Sequence, residues 1–202
     1  MEVAEFFNKI ERHQKIAAGI LEDNTHGYTI KRGMAHVISG YLEDLFAVYI
    51  AENIKNHSFK YYVDKVTSIR LDNINKAVSF KPDLSIVKND MLTHYFDLKT
   101  NLGWNRDFVR YLEIKDNFIE SIKGKKAWIR WGHSVEEISI ADDIKYQMVV
   151  LYGWNINKVK LDQNLNQASI FKNVEVHILS PQSTEDNKPN FEAFSKILNS
   201  IK

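Results

Sequence analysis

Two short stretches of this chain set charged side chains among residues that belong in a protein interior: Pro82-Asp83 and Asp97-Leu98-Lys99. Such charges cost free energy unless they are paired or used. If residues 91–100 are extended, Tyr95, Asp97 and Lys99 share one face while Phe96 and Leu98 take the other, so carboxylate and ammonium stand side by side. A short turn from the preceding strand brings Asp83 near Asp97. Two carboxylates held together repel, and a divalent cation between them relieves the repulsion. Hard oxygen donors with a few waters suit Mg²⁺, for which Mn²⁺ can substitute. A lysine beside such an ion adds positive charge where a phosphoryl transition state gathers negative charge, and it can orient the attacking water. The reaction class this chemistry points to is phosphodiester hydrolysis.

The elements that must position these residues are written in the hydrophobic periodicity. Residues 5–21 carry Phe6, Phe7, Ile10, Ile16, Ala17, Ile20 and Leu21 at loosely helical spacing. A second helix over 33–55 is apolar almost all round, the pattern of a buried helix. Alternation and β-branched residues then predict strands over 59–71, 78–87 and 91–100, joined by turns rich in Asn and Asp, as an antiparallel meander. Helical spacing resumes over 107–122, with Asp107 or Asn105 as its N-cap. After Gly124 the pattern is less regular. Residues 146–152 read as a strand covered on both faces, 174–179 as another, and 191–201 as a closing helix. This order predicts one α/β domain over residues 1–202, with a mixed central sheet flanked by helices. Its parts are an N-terminal helix over 2–21, a catalytic core over about 33–152 and a C-terminal strand and helix within 174–202.

Pro82-Asp83 followed by Asp97-x-Lys99, set in the order helix, meander, helix, strand, resembles the PD-(D/E)XK nuclease superfamily, and within it the type II restriction endonucleases. The resemblance spans residues 33–152. It implies a restriction-endonuclease-like core in which Asp83 and Asp97 bind the metal, the carbonyl of Leu98 adds a ligand and Lys99 positions the nucleophile. It also implies an acidic residue on the helix before the meander, and Glu43 is the match, completing a second metal position or holding a water. With His36, Gly40 and Ala47, Glu43 marks that helix's one small or polar stripe; Asp44 and Glu52 are its rivals. The function implied is a Mg²⁺-dependent, sequence-specific endonuclease acting on double-stranded DNA as a homodimer. Two alternatives share the fold: a repair, recombination or phage nuclease that reads DNA structure, and a non-catalytic DNA-binding protein.

Contacts to DNA are expected from Asn101, Trp104, Asn105 and Arg106 at the mouth of the site, and from Lys125, Lys126 and Arg130. Segments 124–145 and 155–172 are expected to supply base and backbone contacts. The formal net charge of +1 gives little long-range attraction for a polyanion, so a nucleic-acid binder of this composition needs a local basic face.

Several functions are excluded. There is no cysteine, so disulfides, thiolate catalysis and cysteine zinc sites are absent. Charges interrupt the N-terminal apolar residues, and no run approaches the roughly 18 apolar residues of a membrane span, so a cytoplasmic protein without a membrane partner is expected. Neither GxxxxGK[ST] nor GxGxxG occurs, which argues against use of a nucleotide triphosphate. None of the seven histidines pairs with another at metal-ligand spacing. His94, the one nearest the acidic motif, falls on the strand face opposite Asp97 and reads as structural.

Overall fold

A computed structural model describes residues 1–23, 38–71, 76–102, 107–153, 156–181 and 188–202. The chain opens with two helices, α1 (Val3–Asp23) and α2 (Ser39–Ile54). Residues 33–37 of the predicted second helix lie outside the described residues. Alternating segments follow as β1 (Phe59–Val63), β2 (Thr67–Ile69), β3 (Val78–Phe80), β4 (Leu84–Lys88) and β5 (Met91–Asn101). Then come α3 (Phe108–Ile122), β6 (Lys126–Trp131), β7 (Ser134–Ile140), β8 (Tyr146–Tyr152), α4 (Lys158–Ala168), β9 (Val174–Ser180) and α5 (Phe191–Ile201). Among the described residues no helix is long and apolar enough to cross a membrane.

The sheet is mixed and branches at β5. In one run β1, β4 and β5 form the predicted antiparallel meander, and β5 continues through β8 to β9 in parallel pairing. The first residues of β5, Met91 and Leu92, pair with β7 instead, which opens a second run through β6 and β2 to β3. Lys60 and Tyr62 on β1 both bond Glu136 on β7, so this second run curls back toward the start of the meander.

Helices cover both faces of the sheet. On one, α1, α2 and α5 bury Phe6, Phe46 and Phe194 against Leu84, Phe96, Leu98, Val149 and Leu151. On the other, α3 and α4 bury Leu112, Ile119 and Leu161 against Tyr95, Met148, Val150 and Ile178. Every residue of β8 is buried, as its unbroken apolar run requires of a strand with helices on both sides. The packing of α1, α2 and α5 centres on edge-to-face aromatic pairs, with Phe194 at 5.7 Å from Phe6 and 5.1 Å from Tyr49 between ring centroids. Phe194→Ala is therefore expected to cost about 3–5 kcal/mol, read from the urea midpoint; a loss of under about 1 kcal/mol would show that this layer collapses without harm.

Two expectations, on the strands and on the cap of α3, need correction. The predicted strands over 59–71 and 78–87 are each broken, at residues 64–66 and 81–83, because β2 bends away to pair with β6 and β3 follows as the outer partner of β2. Segment 124–145 contains the hairpin of β6 and β7, and segment 155–172 contains α4, whose Asn157 side chain accepts from the Val159 N–H at 2.9 Å. Asp107 precedes α3 but makes no capping bond with its side chain, and Asn105 lies outside the described residues.

Candidate metal centre and active site

The break at residues 81–83 forms the site. Pro82 has no N–H to extend the ladder between β4 and β5. Its neighbour Asp83 takes over: its backbone N–H donates to the Phe96 carbonyl at 3.0 Å, and its Oδ2 accepts from the Leu98 N–H at 2.6 Å. Asp83 is thus fixed beside Asp97 by the two residues that flank Asp97 on β5. Leu98, expected to contribute its carbonyl, meets Asp83 through its N–H.

Asp97 is buried on the α3 face of the sheet, and both of its oxygens are engaged. Oδ1 accepts from the Lys99 ammonium, the side-by-side pair that alternation on the strand predicts. Oδ2 accepts from the Tyr111 hydroxyl at 2.9 Å and from the Tyr146 hydroxyl. Lys115, one helical turn beyond Tyr111 on α3, sits over the rings of Tyr95, Tyr111 and Tyr146 at 5.7, 5.3 and 5.0 Å. Sequence patterning marks Tyr111 and Lys115 only as members of a helical stripe and Tyr146 only as the start of a buried strand.

A second bend lies opposite the first. Asp64, between β1 and β2, adopts φ 52°, a left-handed conformation that aspartate tolerates better than most residues. Its N–H donates to the Asp83 carbonyl at 3.0 Å, and its carboxylate pairs with Lys81 at 2.5 Å. Glu43 reaches the same place from α2. Carboxylate oxygens of Glu43, Asp64 and Asp83 lie within 4.8 Å of one another. Glu43 is half-buried, whereas its rivals Asp44 and Glu52 are exposed, and Glu52 is paired with the N-terminal ammonium at 2.6 Å. Asp64 has no counterpart among the predicted site residues, because in sequence it is one step of an apparently continuous alternation.

The electrostatics divide the two central aspartates. Burial, reinforced by Asp97, pushes the Asp83 carboxyl up to about 7, against the opposing effect of the Leu98 N–H. Burial would raise Asp97 too, but the Lys99 ammonium and the Tyr146 hydroxyl hold it below the usual carboxylate value. Burial and Asp64 raise Glu43, and burial lowers Lys115. A cluster in which two carboxyls retain their protons above the ordinary range is short of positive charge.

The expected DNA contacts separate in space. Asn101 ends β5 beyond Lys99; Trp104, Asn105 and Arg106 lie outside the described residues. Lys126 pairs with Ser139, which pairs with Met91, so Lys125 and Lys126 stand at the far end of β5, about 20 Å along the strand from Asp97. There they line a concavity of about 980 Å³ with Arg70, Trp128 and Glu137. Arg130 lies at the opposite end of β6, toward the carboxylates. His94 lies on the face away from Asp97, stacked on Phe96 and bonded to the Ser200 carbonyl at 3.0 Å, a structural role.

A scan against models of known protein families finds no match, and no curated protein matches the chain.

Proposed function

We propose that this chain is a Mg²⁺-dependent endonuclease of the PD-(D/E)XK kind with a restriction-endonuclease-like core, hydrolysing phosphodiester bonds of DNA. The observation that carries the reading is the meeting of Glu43 with Asp83, beside the Asp97 and Lys99 pair, from a helix, the bend before β4 and strand β5. The donor set is oxygen alone, which fits a hard divalent cation. Glu43, Asp64 and Asp83 would hold it, with Asp97 at its flank. When bound, such a cation stabilises negative charge on the phosphoryl oxygens and lowers the pKa of a water.

The chain's own groups supply the rest. Tyr111 and Tyr146 fix one oxygen of Asp97, which leaves the other to orient Lys99. Lys99 would align the attacking water and offset charge on the pentavalent phosphorus. Glu43, the half-buried member of the cluster that α2 contributes, would complete the metal position or hold that water. Double-stranded DNA is the substrate, a homodimer the form that cuts both strands, and the cytoplasm the compartment.

The test is digestion of unmethylated plasmid and phage DNA with Mg²⁺ or Mn²⁺ against an EDTA control. Discrete fragments that disappear with EDTA establish sequence-specific cutting of the type II restriction kind. Metal-dependent nicking confined to branched or frayed places establishes a structure-reading nuclease. No cutting with any divalent metal rejects the nuclease reading in favour of a DNA-binding protein of this fold.

A further inference from the structure

The pairing of β2 with β6 has Thr67 opposite Ile129, and the same register carried outward brings Lys65 across from Trp131. The Lys65 ammonium lies 3.8 Å from the centroid of the Trp131 ring, and the rings of Tyr62 and Trp131 make a T-shaped pair with centroids 6.5 Å apart. Even so, Trp131 remains 59% exposed, at the tip of the hairpin of β6 and β7. A tryptophan on a strand end is ordinarily covered, since its ring carries a large apolar area. Lys65 directly follows Asp64, one of the three clustered carboxylates, and their Cα atoms are about 3.8 Å apart. The cation on the indole is therefore carried by the residue next in the chain to the candidate metal centre, and the exposed Arg130 directly precedes Trp131 on β6.

We propose that Trp131 is a stacking platform for an unpaired base of single-stranded or frayed DNA whose backbone runs into the carboxylate cluster. This rests on the nuclease reading of that cluster and, within it, favours the alternative that reads DNA structure, with opened or single-stranded DNA as its substrate class, over the cutting of closed duplex. An indole face accepts any base without sequence preference, and adjacent cations match the phosphates on either side of the stacked base. A closed duplex offers no free base face to this ring, so the surface selects DNA that is already open.

The test is binding in EDTA, where nothing is cut, using oligothymidylate and a blunt duplex of equal length. Tryptophan emission is followed in the wild type and in Trp131→Phe, and affinity by anisotropy of labelled DNA in both and in Trp131→Ala. Expected are quenching by the single strand in the wild type, loss of that component in Trp131→Phe with affinity nearly kept, and about ten-fold weaker single-strand binding in Trp131→Ala. The thermal midpoint of each variant checks that the hairpin stays folded. Equal single-strand affinity in Trp131→Ala and wild type, or duplex bound as tightly as single strand, overturns the proposal, as does no binding at all. The two readings fail separately: a wild type that cuts DNA while Trp131→Ala binds unchanged removes only the platform. Single-strand binding that depends on Trp131 without any cutting removes only the nuclease.

Discussion

Asp83→Asn and Lys99→Met are each expected to leave a folded protein that cuts DNA about a hundred- to a thousand-fold more slowly than wild type with saturating Mg²⁺. The two variants fail for different reasons. Asp83→Asn keeps an oxygen that can accept from the Leu98 N–H, so the strand end stays tied, but the charge shared with Glu43 and Asp64 is gone. Its loss is expected partly as weaker metal binding, visible as a higher Mg²⁺ requirement. Lys99→Met keeps the length of the side chain and removes the ammonium that sits on Asp97. Its loss is expected in turnover at saturating metal, with the Mg²⁺ requirement nearly unchanged. Initial rates over a Mg²⁺ series separate the two, and a Lys99→Met protein that cuts at the wild-type rate would remove Lys99 from the mechanism.

The second large effect concerns stability without metal. An unfolded aspartate releases its proton near 3.8, whereas Asp83 in the fold holds it up to about 7. The folded state therefore binds that proton more tightly, and the stability this contributes is complete below about pH 4, declines as pH rises and is lost above about pH 7. Asp97 has the opposite sign: its lowered value contributes stability above the ordinary aspartate range, lost on acidification. A shift as large as that of Asp83, if fully buried, would be worth about 4 kcal/mol. Because Asp83 is partly open to solvent, screening reduces the expected figure to about 1–2 kcal/mol. In EDTA the wild type should thus have a lower urea midpoint at pH 8 than at pH 6, and Asp83→Asn should lose most of that difference. The half-buried His94 titrates in both proteins, so comparing them isolates Asp83. Mg²⁺ at pH 8 should restore the wild type and leave the variant nearly unmoved. Equal midpoints at the two pH values in metal-free wild type would mean that the carboxylates do not strain the apo fold.

Where local pattern and tertiary role coincide, the fold is legible in the residues. The run from Tyr146 to Tyr152 is a strand because helices cover both of its faces, and Phe191 to Ile201 is a helix because one stripe of it meets the core. The side-by-side placement of Asp97 and Lys99 follows from strand alternation alone, and the two side chains are bonded. The breaks at residues 64–66 and 81–83 escape the pattern because their cause is remote: β2 pairs with β6, about sixty residues later in the chain. For the same reason Asp64 is hidden within an alternation that does not continue in space. Lys125, Lys126 and Arg130 look like one cluster in sequence, yet an extended β6 carries Arg130 away from the other two. Tyr111 and Tyr146 are hidden differently, since a tyrosine on a buried element looks like core until its hydroxyl is seen to have a partner.

The bend at Asp64 makes charge and backbone separable at one corner of the site. Its left-handed conformation suits asparagine and glycine at least as well as aspartate, and strains valine or isoleucine. Aspartate codons reach those of asparagine or glycine by a single base change. A lineage can therefore weaken or silence the carboxylate cluster in one mutational step while inheriting the fold intact, and can return by the same step.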